Sequence, residues 1–199
     1  MRTVLSLTLV VAFSLLLAGC ASAPTAEIDA TKAAVTAAQT DDVRTYGPES
    51  LKAAEDELSK AMAEVQAQDE KFALSRDYKP ASTTLKSAKD LAEKAKADAE
   101  ANKARVKADA EATIAALPAL LEEAKKTLAK APKGKDTKAE LEAMQNDLKL
   151  AEESLNEATQ AMSAEKYMDA QAKANSAKEK ANTVISQVQQ AIEKVKGRR

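Results

Sequence analysis

PESLKAAEDELSKAMAEVQAQDEKF, residues 48–72, places Leu51, Leu58, Val65 and Phe72 at seven-residue intervals, with Ala54, Ala61 and Gln68 between them. That is a heptad, the pattern of a helix that lays one apolar seam against its neighbours. Pro48 suits the first helical position, and Glu49 suits the positive end of the helix dipole. The pattern returns downstream as Leu141, Leu148, Leu155 and Met162, with Met144, Ala151 and Ala158 between. The expectation is an all-α chain of elongated, antiparallel, coiled-coil-like bundles.

Outward from the first seam, Thr25 opens a preceding helix as its cap, with Glu27 and Asp29 near the positive end. Ile28, Ala34, Val35 and Ala38 form its stripe, and it ends around residues 42–44. Residues 75–80, Ser-Arg-Asp-Tyr-Lys-Pro, break the pattern. A third helix then starts near Pro80 with Leu85, Ala88, Ala92, Ala95, Ala99 and Val106, and carries an Ala-Lys-Glu-rich middle. Pro118 is expected to kink or break it. If the helix is continuous to Ala131, it is about 75 Å long at 1.5 Å per residue. Pro132 to Asp136 is an interhelical loop. Thr137 and Glu140 form a capping box for the fourth helix. Tyr167 opens a fifth, with Ala174, Ala181, Val188 and Val195 in one row and Ala170, Ala177, Val184 and Ala191 in the other, and Gly197 ends it.

The two heptad helices align at one constant offset. One residue drops out in the turn that follows. Tyr78, Ala81, Ser87, Ala88, Lys89 and Ala92 then align with Tyr167, Ala170, Ser176, Ala177, Lys178 and Ala181. Heptad helices resemble one another by default and alanine matches carry little information. The shared turn tyrosine and the Ser-Ala-Lys that follows are what point to duplication. The domain reading is a signal peptide over 1–19, a tether over 20–24, a first helical unit over 25–108 and a second over 109–199. The units are three-helix bundles joined by the long alanine-rich helix.

Composition narrows the chemistry. Thirty Lys and Arg against 31 Asp and Glu give a net charge of −1, so no field singles out nucleic acid. Aromatic residues are only 3% of the chain, so the core is a thin seam of alanine and leucine. The chain holds no histidine and one cysteine, Cys20. No intramolecular disulfide forms, the usual zinc, copper and haem ligand sets are missing, and Ser–His and Cys–His arrangements cannot be built. Carboxylates lie among lysines along helical faces, as solvated surfaces do. Glycine is too scarce for a phosphate-cradling loop. The reading is a non-enzyme without metal or cofactor, apart from a covalent lipid on Cys20.

That lipid is read from the N-terminus. Arg2 supplies the positive n-region, Val4 to Leu17 is an uncharged run, and Leu17-Ala18-Gly19-Cys20 closes it. The run falls short of the roughly 20 apolar residues that span a bilayer. Residues 1–20 resemble the signal of bacterial lipoproteins. The resemblance implies recognition of Leu17, Ala18 and Gly19 by the signal peptidase, cleavage before Cys20, and lipid on its sulfur and amino group. Two or more acyl chains anchor stably where one does not. Ala21 follows Cys20, which by the same resemblance implies sorting to the outer membrane of a diderm cell, facing the periplasm. The tether of residues 20–24 spans about 15 Å when extended.

Residues 30–95 resemble the alanine-rich bacterial lipoproteins of domain-of-unknown-function family 4398. Tyr46-Gly47-Pro48 followed by Leu51, Ala54, Leu58 and Ala61 carries the likeness, with Asp77-Tyr78-Lys79-Pro80-Ala81 and Leu85. The family usually has Ala where this chain has Gly47, and the second copy lacks the proline after Tyr167. The resemblance implies a helical hairpin of the cell envelope and assigns no catalytic residue.

Three features have both a functional and a structural reading. The tyrosines are either stacking platforms for sugars or peptides, or corner residues with a buried ring and an exposed hydroxyl; the corner reading is preferred. The Ala-Lys-Glu rod is a spacer or a partner-binding surface. The tail Lys194 to Arg199 is a solvated helix end or a contact for anionic lipid. The functional expectation is a membrane-tethered scaffold or protein-interaction module, binding another envelope protein. An amphipathic-helix lipid or ligand carrier and a periplasmic holdase chaperone are the alternatives.

Overall fold

The computed structural model describes residues 22–134 and 137–197. The six α-helices among them are α1 (Thr25–Ala38), α2 (Asp41–Tyr46), α3 (Pro48–Asp69), α4 (Lys79–Ala129), α5 (Lys138–Ser163) and α6 (Tyr167–Lys196). A single 3₁₀ turn, Ala73–Ser75, lies between α3 and α4. The described residues contain no strand, and the fold is all-α. The chain divides into two compact units at Asn102–Lys103, inside α4 and earlier than the 108/109 boundary read from the sequence.

In the unit before Lys103, α1, α3 and the first part of α4 bury Ile28, Val35, Ala38, Leu51, Ala54, Ala61, Val65, Ala81, Leu85, Ala88 and Ala92. Most of these are alanine, whose small side chain lets backbones approach closely. Thr31, itself buried, ties α1 to α4 by donating to the Leu85 carbonyl at 3.2 Å. At the α2–α3 corner there is no space beside Gly47. A Cβ there would lie 2.9 Å from the Ala95 carbonyl oxygen and 3.3 Å from Ala99 Cβ. Asn102 seals the corner by donating from Nδ2 to the Tyr46 carbonyl at 2.9 Å.

In the unit from Lys103 onward, the last part of α4 packs Leu117, Leu121 and Ala124 against Met144, Leu148, Ala151 and Ala158 of α5. The α6 row Ala174, Ala177, Ala181, Val184 and Val188 completes the same core. The α5–α6 turn is a Schellman motif: Lys166 N–H reaches the Ala161 carbonyl at 2.9 Å, and Glu165 N–H reaches that of Met162 at 3.1 Å. Glu165 occupies the left-handed position, with φ 59°, where glycine is usual.

Six local expectations are corrected. Thr25 does not cap α1; Pro24 holds that position and no side chain bonds there. The first helix stops at Ala38, and α2 begins anew because Thr40 Oγ1 accepts the Val43 N–H at 3.2 Å. Phe72 is not in the α3 seam: α3 ends at Asp69, and Phe72 is 75% exposed. α4 is not broken at Pro118, whose ring lies on an exposed face. Thr137 forms no capping box. Its hydroxyl accepts from Gly134 N–H at 2.9 Å and lies 3.1 Å from the Pro132 carbonyl, so it serves the loop rather than α5. Val195 lies in the last turn of α6 and is exposed, outside the core row.

Candidate functional site

Leu17, Ala18, Gly19 and Cys20, the residues that carry the lipidation reading, lie outside the described residues, as do Arg198 and Arg199. The described chain begins at Ser22 and enters unit 1 at a defined place. Ala23 packs against a cluster of Ile28, Ala61, Val65, Tyr78, Ala81 and Leu85. Ser22, Ala23 and Pro24 share one shallow recess with Asp77, Tyr78 and Lys79. Ser22 to Pro24 therefore lie where α3 ends and α4 begins.

All three tyrosines are buried, which removes them as stacking platforms. At Tyr78 the corner has a hydrogen bond in addition to its buried ring, made by the hydroxyl. It donates to Asp69 Oδ1 at 2.5 Å and ties the start of α4 to the end of α3. That bond to a carboxylate, followed by desolvation, raises the phenol above its ordinary value of 10.0. Tyr167 instead offers its ring to Lys107, whose Nζ lies 5.5 Å from the ring centroid.

Ion pairs stand on exposed faces of the helices. Lys125 and Glu152 meet at 2.5 Å between α4 and α5, and Lys173 and Glu157 at 2.5 Å between α5 and α6. In each case the hydrogen bond to the carboxylate raises the lysine above its ordinary value. Asp98 is lowered, first by its hydrogen bond from Lys94 and then by one from Ser50. Along the alanine-rich stretch of α4, Lys94–Asp98, Arg105–Asp109 and Lys107–Glu111 are i,i+4 pairs. Exposed pairs of this kind contribute little each, being screened by solvent. The described residues hold no group of three or more acidic, Cys or His side chains placed to bind a metal ion, and no buried side-chain polar atom there lacks a partner. None of their helices is long and apolar enough to cross a membrane.

One feature was missed by sequence reasoning. The α3–α4 connection carries Phe72 and Leu74, 75% and 70% exposed, at the end of unit 1 where the chain enters. The heptad claimed Phe72 for the seam, since seven-residue spacing continues through it. The available signal was Leu74, which falls off the heptad beside a Ser-Arg-Asp turn.

No family model, curated protein or solved structure matches the chain.

Proposed function

We propose that this chain is a lipid-anchored, non-enzymatic helical protein of the bacterial cell envelope that acts as a scaffold or protein-interaction module. The observation that carries the reading is Leu17-Ala18-Gly19-Cys20, closing an uncharged run and containing the sole cysteine. Apolar seams closed within each unit support it, because a carrier would need those seams open to its ligand. The kinship with alanine-rich envelope lipoproteins is proposed on Tyr46-Gly47-Pro48 and Asp77-Tyr78-Lys79-Pro80-Ala81, and the outer membrane on Ala21 after the cysteine. The mechanism is positional: lipid on Cys20 holds one end, and polar helix faces meet a partner away from the bilayer.

Three measurements test this. Mass spectrometry of the protein from cell membranes is expected to show cleavage before Cys20 and acyl chains on it. Cys20→Ser is expected to move the protein into the soluble fraction. Crosslinking in intact cells is expected to capture a discrete envelope protein; recovery of none across growth conditions counts against the interaction role.

A further inference from the structure

The connection between α3 and α4 is tightly built, yet it displays two large apolar side chains. Arg76 donates from Nη2 to the Asp69 carbonyl at 2.7 Å and from Nε to that of Lys71 at 3.0 Å. Ser75 Oγ donates to the Phe72 carbonyl at 2.8 Å, and Asp77 N–H to Gln68 Oε1 at 3.0 Å. With the Tyr78–Asp69 bond, these contacts close the end of α3 and fix the backbone that carries Phe72 and Leu74. An ordered loop that keeps two such side chains 75% and 70% exposed forgoes apolar burial, which marks a contact surface.

Unit 2 shows that a hairpin here does not require this. α5 continues to Ser163, a three-residue turn follows, and Met162, which aligns with Phe72, is half-buried. Phe72 is also one of only two phenylalanines, the other being Phe13 in the apolar leader.

The position of the tip identifies the occupant. Ala23 packs on the Tyr78 cluster, and Cys20 precedes it by three residues, a reach of at most about 11 Å. A bilayer holding lipid on Cys20 is therefore next to this end of unit 1. The charges around the tip, Asp69, Glu70, Lys71, Arg76, Asp77 and Lys79, sum to zero, so they select neither an anionic nor a cationic polymer. An apolar wedge with balanced charge fits the boundary between headgroups and acyl chains.

We propose that Phe72 and Leu74 insert into the bilayer that carries the Cys20 lipid, giving unit 1 a second membrane contact. This rests on the lipid-anchor reading above. The acyl chains hold the tip at high effective concentration beside the surface, so shallow insertion is enough to fix how unit 1 stands on the membrane.

The chain contains no tryptophan, so Phe72→Trp gives a single fluorescent reporter on an exposed site that the fold does not need. Thr45→Trp provides the control, next to Tyr46. Asn102 bonds the Tyr46 carbonyl and lies about 36 Å along α4 from Tyr78, at 1.5 Å per residue. Each lipidated variant is isolated from membranes and reconstituted into phosphatidylcholine vesicles. On vesicles, relative to its soluble Cys20→Ser form, the position-72 reporter is expected to shift to the blue, lose iodide quenching several-fold and gain quenching by brominated acyl chains. The position-45 reporter is expected to stay unchanged.

Protein that floats with the vesicles while position 72 keeps full iodide quenching overturns the insertion and leaves the anchor standing; the tip then belongs to a protein partner. Protein isolated without acyl mass and failing to float overturns the anchor and the insertion with it. A shift of both reporters means that the helices spread on the bilayer, and overturns the wedge.

Discussion

Gly47→Ala is expected to destabilise the first unit. The added Cβ would meet the Ala95 carbonyl oxygen at 2.9 Å and Ala99 Cβ at 3.3 Å, closer than ordinary van der Waals contact. Neither neighbour gives way readily. The carbonyl belongs to the backbone of α4, and Ala99 has no side-chain torsion to adjust. The α2–α3 corner must instead retreat by a few tenths of an ångström. That loosens the Asn102–Tyr46 hydrogen bond at 2.9 Å and the Leu51 N–H bond to the Gly47 carbonyl at 3.0 Å. Overpacking of this kind costs about 1–3 kcal/mol. The lower entropy of an unfolded alanine offsets about 0.4–1 kcal/mol. The net expectation is a loss of about 1–2 kcal/mol, each kcal/mol lowering Tm by about 4–8 °C in a unit of this size. Urea and thermal unfolding followed by far-ultraviolet circular dichroism read this directly. Gly134→Ala is the control, because its Cβ meets nothing nearer than Thr137 Oγ1 at 3.8 Å. A Gly47→Ala protein as stable as its parent would refute the close approach of the corner to α4.

Other perturbations follow from single features of the fold. Glu165→Gly relieves a left-handed backbone at φ 59° and is expected to stabilise the second unit by about 0.5–1 kcal/mol in urea titrations; destabilisation would contradict the Schellman geometry. Pro118→Ala restores an amide donor inside α4 and is expected to gain about 1–3 kcal/mol and added amide-exchange protection around Ile114. No gain would mean that the helix already accommodates the ring at little cost. On pH, Tyr78, Lys125 and Lys173 are raised in the folded chain, so their contributions are complete below about pH 10.0–10.5 and disappear as pH climbs through the folded values. Asp98 is lowered, so its contribution is complete above about pH 3.8 and is lost as pH falls through its depressed value. From these four groups, urea midpoints are expected to fall as pH climbs above the first limit or drops below the second. Tyr78→Phe is expected to remove only the tyrosine's share of the alkaline loss.

Periodicity carried most of the helical framework. Leu51, Ala54, Ala61 and Val65 are buried where the first heptad puts them, and Met144, Leu148, Ala151 and Ala158 where the second does. The α6 rows hold as far as Val188. The tyrosine corners were legible because an aromatic residue beside a turn signal has a buried place at a helix start. The exact ends of helices were harder to read, because they depend on which groups satisfy the last backbone atoms. Periodicity contains no trace that Arg76 captures the Asp69 carbonyl and so stops α3 before Phe72. The same holds for Thr137, whose hydroxyl is drawn to Pro132 and Gly134 in the loop instead of to the N-terminus of α5.

Helical class and most seam positions are determined by the sequence alone, because each depends on residue type at a fixed local spacing. Spacing survives whatever the neighbours do. The tertiary structure decided what no spacing encodes. It decided that Gly47 faces a carbonyl of another helix, that the Tyr78 hydroxyl holds Asp69, and that α4 passes through Pro118. It also decided that Phe72 and Leu74 stand exposed at the end where the chain enters unit 1. Those outcomes depend on which atoms lie opposite one another once helices pack, and that is set by distances across the bundle.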